Sequence, residues 1–366
     1  MTTTQAQVDQ LRQTIRDLER QAEALKAASE DAEVKTNARA IERIADVAKT
    51  LGVELDALID DPTPPRPAEL SKTLAVNLDL SGSAFTGYPL LIETPGVALR
   101  DVWSRPGPEN VRAGNIAGDL QDAFRIYRAD GVRLENVSAS GAVDECIEIA
   151  DSRGVTLYRA LISDPVDEPG IHPKGTPHGH GLIVVGQRRQ GVWGDWAPVV
   201  IQECLFANCG GRSPTLKPGY PYGGELIGEL RVQLINTVSY NPTRFALKLN
   251  STDPANHAGN VLRADIVGNL IIVGPDTDVD QLRWTLQTGQ WEHVYAKDNW
   301  IELRDGTRHD LFEWAGVTPG RDEPTYAVPE YLDDPDAVLA TVLGHAGARP
   351  RDEHDARIVR QVGARE

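Results

Sequence analysis

Six segments of this chain share one form, and that form restricts the fold more than any other feature. VALRDV from Val97, VRLENV from Val132, VTLYRAL from Val155, VVIQECL from Val199, VQLINTV from Val232 and VYAKDNW from Val294 carry apolar residues at positions one, three and, Ser138 excepted, seven. Position five is filled by Asp101, Asn136, Arg159, Glu203, Asn236 and Asp298, mostly polar or turn-forming residues. Alternation sends positions one and three to the same face of a strand, and position five then reads as a one-residue bend before the next strand begins. The first five segments start 23 to 44 residues apart, the spacing of solenoid coils that carry loops of differing length. Between Leu70 and roughly the last thirty residues no helix-sized periodic segment is evident, which disfavours alternating strand and helix architectures. The pattern predicts an all-β fold, a right-handed parallel β-helix, in preference to a β-sandwich. Asp, Asn and Glu at the bends would mark its outer corners and its binding face.

The N-terminal part reads differently. Val8, Leu11, Ile15, Leu18, Ala22 and Leu25 recur in alternating steps of three and four with charged residues between them, a heptad seam. About three heptads make a marginal isolated helix, so the seam predicts an oligomerising α-helical coiled-coil stalk, with an amphipathic helix on its own domain as the equal alternative. A second helix is expected over 37–51. The run DDPTPPRPAEL, residues 60–70, contains four prolines and reads as a semi-rigid linker. The predicted organisation is therefore a helical oligomerisation segment over 1–59, the linker over 60–70, and a β-helix over 71–366 that ends in a closing element over 337–366.

The 366 residues carry 54 acidic against 37 basic side chains, a formal charge of −17. That balance argues against nucleic acid as a partner, and an anionic substrate would need local cations or a bound metal. Cys146, Cys204 and Cys209 are too few and too scattered for a disulfide framework or a zinc knuckle, so buried free thiols are expected. The first residues lack a basic region followed by an apolar one, and no run approaches membrane-spanning length, which leads us to expect neither an export signal nor a membrane partner.

Two stretches carry candidate chemistry. In VDECIEIADSRG, if Ile147 and Ile149 enter the core, Asp144, Cys146 and Glu148 project on the opposite face. Parallel carboxylates repel unless solvated or bridged by a cation, and hard oxygen ligands suit calcium better than zinc. Glu135, at the matching bend of the preceding coil, is expected beside them as a third ligand. Downstream, IHPKGTPHGHG brings Lys174 together with His172, His178 and His180, whose spacing is unspecific for zinc. Lys174, His178 and His180 instead suit a groove for acidic sugars. GGRSPTLKPG then fixes Arg212 and Lys217 on a segment stiffened by Pro214 and paired glycines, as positioned cations would require.

Taken in order, these residues resemble the pectate lyases of polysaccharide lyase family 1 and their β-helical relatives, over about residues 74–362. GDLQDAFRIYRADGVRLENVSAS is similar to the family's run ending in vWiDH, with Glu135 in place of the aspartate and Asn136 of the histidine. DECIEIADSRGVTL places Asp144 and Glu148 at the family's paired calcium carboxylates, and HPKGTPHGHGLIVVG places Lys174 at a substrate-binding lysine. QECLFANCGGRSPTL puts Arg212 on the first arginine of RxPxxR and Lys217 on the second. VQLINTVSYN, which adds Asn236 to the substrate contacts, and GNLIIVGPDT resemble the coils that follow. The C-terminal stretch 337–362 is like the family's closing element. The resemblance implies β-elimination on a uronate polysaccharide assisted by calcium on Glu135, Asp144 and Glu148, with Arg212 as base and Lys217 holding the substrate carboxylate.

Three functions follow as expectations. The first is an active lyase on an acidic polysaccharide. The second is a carbohydrate-binding or structural β-helix in which the lyase site has decayed, as the altered vWiDH motif and Lys217 suggest. The third concerns context: a stalk, a proline linker, a β-helix and no export signal are the parts of a phage tail spike. That reading implies a homo-oligomer, a trimer before a dimer, phage tail proteins as partners and a virion location, with the cytoplasm otherwise.

Overall fold

The computed structural model describes residues 81–186, 197–218, 229–249 and 260–366, all within the unit Val76–Glu366. The expected stalk and linker lie outside the described residues. Among the described residues, twenty-two short strands form three sheets. Sheet A runs β1 (Ala84–Thr86), β4 (Trp103–Arg105), β7 (Ser138–Ser140), β10 (Leu161–Ser163), β13 (Leu205–Ala207), β16 (Val238–Tyr240), β19 (Leu270–Ile272), β21 (Trp300–Glu302) and β22 (Arg308–Asp310). Sheet B runs β2 (Leu90–Ile92), β5 (Phe124–Tyr127), β8 (Glu145–Ala150), β11 (His180–Val185), β14 (Thr215–Lys217) and β17 (Lys248–Leu249). Sheet C runs β3 (Ala98–Arg100), β6 (Arg133–Glu135), β9 (Thr156–Tyr158), β12 (Val199–Gln202), β15 (Glu229–Ile235), β18 (Val261–Val267) and β20 (Val294–Lys297). The chain passes from C to A to B and back to C, each strand pairs in parallel with its counterpart one coil on, and β21 with β22 is the antiparallel pair. This is a parallel β-helix.

The bend between sheets C and A is the fifth residue of each repeated segment. Asp101, Asn136, Arg159, Glu203, Asn236 and Asp298 all have φ between 47° and 58°, the left-handed region. That conformation costs roughly 1–2 kcal/mol for a residue with a Cβ. It keeps the ladder unbroken through the corner: the Asn136 amide donates to the Tyr158 carbonyl at 2.9 Å, Arg159 to Gln202 at 2.9 Å and Glu203 to Ile235 at 3.0 Å. Position three supplies the core beneath the corner. Leu99, Leu134, Leu157, Ile201, Leu234, Ile266 and Ala296 lie in register, one per coil. Just past the corner, Asn269 accepts from the Thr237 amide at 2.8 Å and donates to Asn299 at 2.8 Å, so the buried polar groups of three coils satisfy one another.

The interval between the fifth and sixth repeated segments hides one more coil. Ala264, Ile266 and Leu270 take positions one, three and seven, and Gly268 at φ 64° takes the bend. A helix over Val279–Gln287, capped by Asp278 accepting from the Gln281 amide at 3.0 Å, interrupts the β pattern where no helix was expected. Its signal was present in the spacing of Leu282, Thr285 and Leu286, the residues it buries. The closing element forms two helices, Pro335–His345 and Glu353–Ala364, whose Val338, Leu339, Val342, Ile358 and Val362 cover Leu161, Leu205, Val238 and Leu270 of sheet A. The fully buried carboxylate of Asp355 pins this cover, accepting from Ser138 at 2.6 Å, Arg105 at 2.6 Å and the Trp103 indole at 3.2 Å. Among the described residues no helix is long and apolar enough to cross a membrane.

Gly268 is the corner most sensitive to substitution, since a Cβ there would run into the Asn236 side chain and the Leu332 carbonyl. Gly268→Ala should lower stability by roughly 2–4 kcal/mol through left-handed strain and overpacking together. Gly306→Ala, at φ 82° in open space, should cost only about 1 kcal/mol. Denaturation midpoints of the two variants check the contrast.

Candidate active site on sheet B

The carboxylates converge at the N-terminal ends of the sheet B strands. Asp122 lies two residues before β5, and Asp144 and Glu145 stand at the start of β8. The Glu145 amide donates to Asp122 Oδ1 at 3.1 Å, which ties the two coils together. Oxygens of Asp122, Asp144 and Glu145 lie within 4.8 Å of one another. Further along β8, Glu148 meets Arg125 of β5 at 2.6 Å. Burial pushes the Asp122 carboxyl well above its ordinary value, and the charges of Glu148 and Asp144 add to it. Burial also raises Glu148, against the opposing pull of Arg125. At Asp144 burial is outweighed by His172, Arg212 and His178, which hold the carboxyl below its usual range. Four carboxyl groups thus face two guanidiniums, Arg125 and Arg212. Hard oxygens gathered this closely suit a divalent cation of the calcium class better than zinc.

Arg212 sits at φ 57° between Gly211 and Ser213, and the paired glycines before it are required by close packing. A Cβ on Gly210 would strike the Gly179 carbonyl and Arg244, and one on Gly211 would meet the Phe245 ring at 2.8–3.0 Å. Thus held, the Arg212 guanidinium contacts Glu145, approaches Asp144 at 3.9 Å and lies 3.3 Å from His178 Nε2. The loop before β11 completes the cluster. His172 stacks on His178 with ring centres 4.0 Å apart, His178 meets His180 edge-on at 4.4 Å, and Lys174 Nζ lies 3.3 Å from His178 Nε2. Asp167 fixes this loop by accepting from the Gly179 amide at 2.8 Å while pairing with Arg244 at 3.1 Å.

Asp144, His172 and His178 also bring three potential ligand atoms together. Their hydrogen bonding does not fit a zinc-type metal. The Lys174 amide donates to His172 Nδ1 at 3.2 Å, so the proton of the neutral ring resides on Nε2, the nitrogen that faces Asp144 at 3.6 Å. Nε2 then carries the proton, has no hydrogen-bond partner among the described residues and offers no lone pair to a metal.

The register of sheet B lines up the remaining cations. Arg125, Glu148, Ile183, Thr215 and Lys248 occupy one rung across five strands, and Lys217 stands two residues beyond Thr215. Leu216 enters the core, so Thr215 and Lys217 face outward. Burial lowers Lys217 to about 8, helped by the charges of Arg212, Lys174 and Lys248, and burial and Arg212 lower Lys248 as well.

Asp144, Glu148, Lys174, His178, His180, Arg212 and Lys217 therefore lie on or beside one face. Two expected members do not. Glu135 belongs to β6 in sheet C, where it pairs with Arg133 at 2.9 Å and Arg100 at 3.7 Å, because the bend next to it joins sheets C and A and leaves sheet B on another side of the coil. Asn236 is a corner residue whose side chain is spent on the Gly268 and Leu332 carbonyls at 2.9 and 2.8 Å and on the Leu332 amide at 2.9 Å. Cys146, expected to project with the carboxylates, is fully buried with its thiol 3.8 Å from the Ser163 carbonyl, and Glu145 takes the outward place. All three cysteines are free and buried. Asp122, Arg125, Glu145 and Lys248 are additional members that spacing alone did not single out.

The histidines give the site a pH signature. Burial lowers His178 from 6.5 to about 4 and His180 well below its ordinary value, so both rings are neutral in the folded protein. An unfolded chain takes up these protons first, and stability contributed by the neutral rings is lost as pH falls from about 6.5 towards 4. His178→Gln should flatten this part of the stability profile relative to wild type, read from urea midpoints across that range.

No family model matches the chain, and no curated protein matches it either. Solved structures do. A Bacillus subtilis pectate lyase carrying an arginine-to-lysine substitution superposes with a TM-score of 0.50 at 10% identity, covering 74% of this chain and 66% of its own. A thermostable pectate lyase, PL 47, gives a TM-score of 0.50 at 13% identity over the same shares. The chain thus spans 66% of the length of these structures, and what they establish is the architecture: a pectate-lyase-like parallel β-helix.

Proposed function

We propose that the protein is a polysaccharide lyase that binds an acidic, uronate-containing chain across sheet B and cleaves it by β-elimination. The observation that carries this reading is the placement of Lys174, Arg212, Lys217 and Lys248 on one face of a strongly acidic protein, directly beside the cluster of Asp122, Asp144, Glu145 and Glu148. Ion pairs between these two groups explain only part of the arrangement, because no carboxylate among the described residues pairs with Lys217 or Lys248. Such cations recognise anions, and spaced along a sheet they match a polymer that repeats a carboxylate. The buried Thr215 hydroxyl, without a hydrogen-bond partner among the described residues, offers a polar contact on the same rung. A calcium-class ion on Asp122, Asp144 and Glu145 would supply further neutralisation of a uronate carboxylate and so acidify its α-proton. The protein's own cations would orient the sugar and stabilise the charge that develops as the proton leaves. The alternative, binding without turnover, keeps the same face and the same ligand.

Elimination leaves a conjugated unsaturated uronate that absorbs in the ultraviolet, whereas hydrolysis does not. A panel of polyuronates with calcium and with chelator should give a calcium-dependent rise on one polymer. Lys248→Met should raise KM about tenfold or more with kcat little changed, since a charge-assisted contact contributes roughly 1.5–3 kcal/mol. Tight binding with a flat trace on every polymer would replace the lyase with a binding protein.

A further inference from the structure

Arg212 and Lys217 are both cations on the same face, but their surroundings suit them to opposite tasks. The Arg212 guanidinium is engaged on several sides, by Glu145, Asp144 and His178. Removing its proton would leave the nearly buried Glu145 carboxylate uncompensated, a costly state, and a guanidinium is in any case the hardest of the basic side chains to deprotonate. Lys217 stands in a different setting. Its neighbours in β11 and β14 are Val185, Leu216 and Thr215, none of them charged. The charged groups that face it are Arg212 from the turn before β14, Lys174 from the loop before β11 and Lys248 from β17, all cations. No carboxylate among the described residues forms an ion pair with it. Burial, together with surrounding cations and no anionic partner among the described residues, destabilises the ammonium form of Lys217, and its neutral amine would present a lone pair to the outer face of sheet B.

Resting on the lyase reading above, we infer that Lys217 is the proton acceptor of the elimination, while Arg212 is a fixed clamp that holds the carboxylate cluster and positions the sugar. In this step the Lys217 Nζ lone pair takes the proton from C5 of the uronate. The C5–H electrons form the C4–C5 double bond, and the C4–O bond breaks with its electrons going to the departing oxygen. That oxygen takes a proton from solvent water, and the Lys217 ammonium returns its own to solvent, so one chain yields two with no oxidant, reductant or net water. Lys217 at about 8 places the neutral amine within reach of mildly alkaline pH. The order of roles differs from that expected from sequence resemblance, where Arg212 takes the proton and Lys217 holds the substrate.

The full-length protein, Lys217→Arg and Arg212→Lys are compared on the polyuronate that wild type cleaves. Initial rates are followed from about pH 6 to pH 10, and binding of a short oligouronide is measured by calorimetry. For wild type, kcat/KM should rise with pH and level off above about 8, the free-enzyme value of the acceptor. Lys217→Arg keeps the charge but not a transferable lone pair. It should lose about 100-fold or more in kcat with the rising limb abolished, while the oligouronide Kd stays within about threefold. Retained binding shows that the variant is folded. Wild-type turnover together with a Lys217→Arg variant of similar kcat and unchanged pH profile would overturn the assignment of Lys217 and leave the lyase reading intact. A shift of the rising limb in Arg212→Lys instead would return the proton to Arg212. A wild type that turns over no polyuronate would overturn the lyase reading and this assignment together.

Discussion

The parallel ladder carried unbroken through a left-handed corner is the constraint from which the rest of the molecule follows. Each coil turns from sheet C to sheet A at one residue, and from Asp101 to Gly268 that residue donates its amide to the next coil instead of leaving it orphaned. Strain at the corner is offset by a continuous ladder and by the aliphatic column beneath it. Because the corners recur in register, so do the strands of sheet B, and the chemistry placed on them is stacked coil upon coil at about 4.8 Å. A strand slipped by one residue would turn Glu148, Thr215 or Lys248 to the opposite face.

The candidate site uses this regularity in one direction and departs from it in another. Along the rung from Arg125 to Lys248 the strand register alone sets the spacing. At the strand starts, however, the groups come from turns and loops of unequal length: Asp122 and Asp144 before their strands, His172 to His178 from a long connection, Arg212 after its glycine pair. Those irregular segments are held by specific contacts, Asp167 with Gly179 and Arg244 foremost, which convert loop residues into fixed ones. The result is a division of charge, carboxylates at one end of the face and the Lys217 and Lys248 ammonium groups, without a carboxylate partner among the described residues, at the other, with Arg212 and His178 between them.

The fold was legible because its defining feature is local. Position five of each repeated segment names the corner without any knowledge of what lies opposite, and all six expected bends adopt the left-handed conformation. The seventh corner escaped because glycine at Gly268 breaks the polar signature while serving the same purpose. The site was only partly legible, since it depends on which of three sheets a residue belongs to. Glu135 was placed by its likeness to a motif position, but one coil has three faces, and a residue next to the C-to-A corner cannot reach sheet B. Glu145 was missed because alternation counted back from Ile147 assigns its place to Cys146, and the start of β8 does not alternate strictly. Asp122 and Lys248 lie 22 residues before and 31 residues after the nearest expected partners, Asp144 and Lys217, distances that only coil length converts into proximity.

The proposed activity requires an acidic sugar chain on the outer face of sheet B. Lysine footprinting by mass spectrometry, with an amine-reactive label applied in the presence and absence of a saturating oligouronide, addresses this directly. Lys174, Lys217 and Lys248 should be protected together, while Lys297, exposed on sheet C, labels equally in both samples. Unchanged labelling of the three sheet B lysines, or protection centred on Lys297, would contradict it.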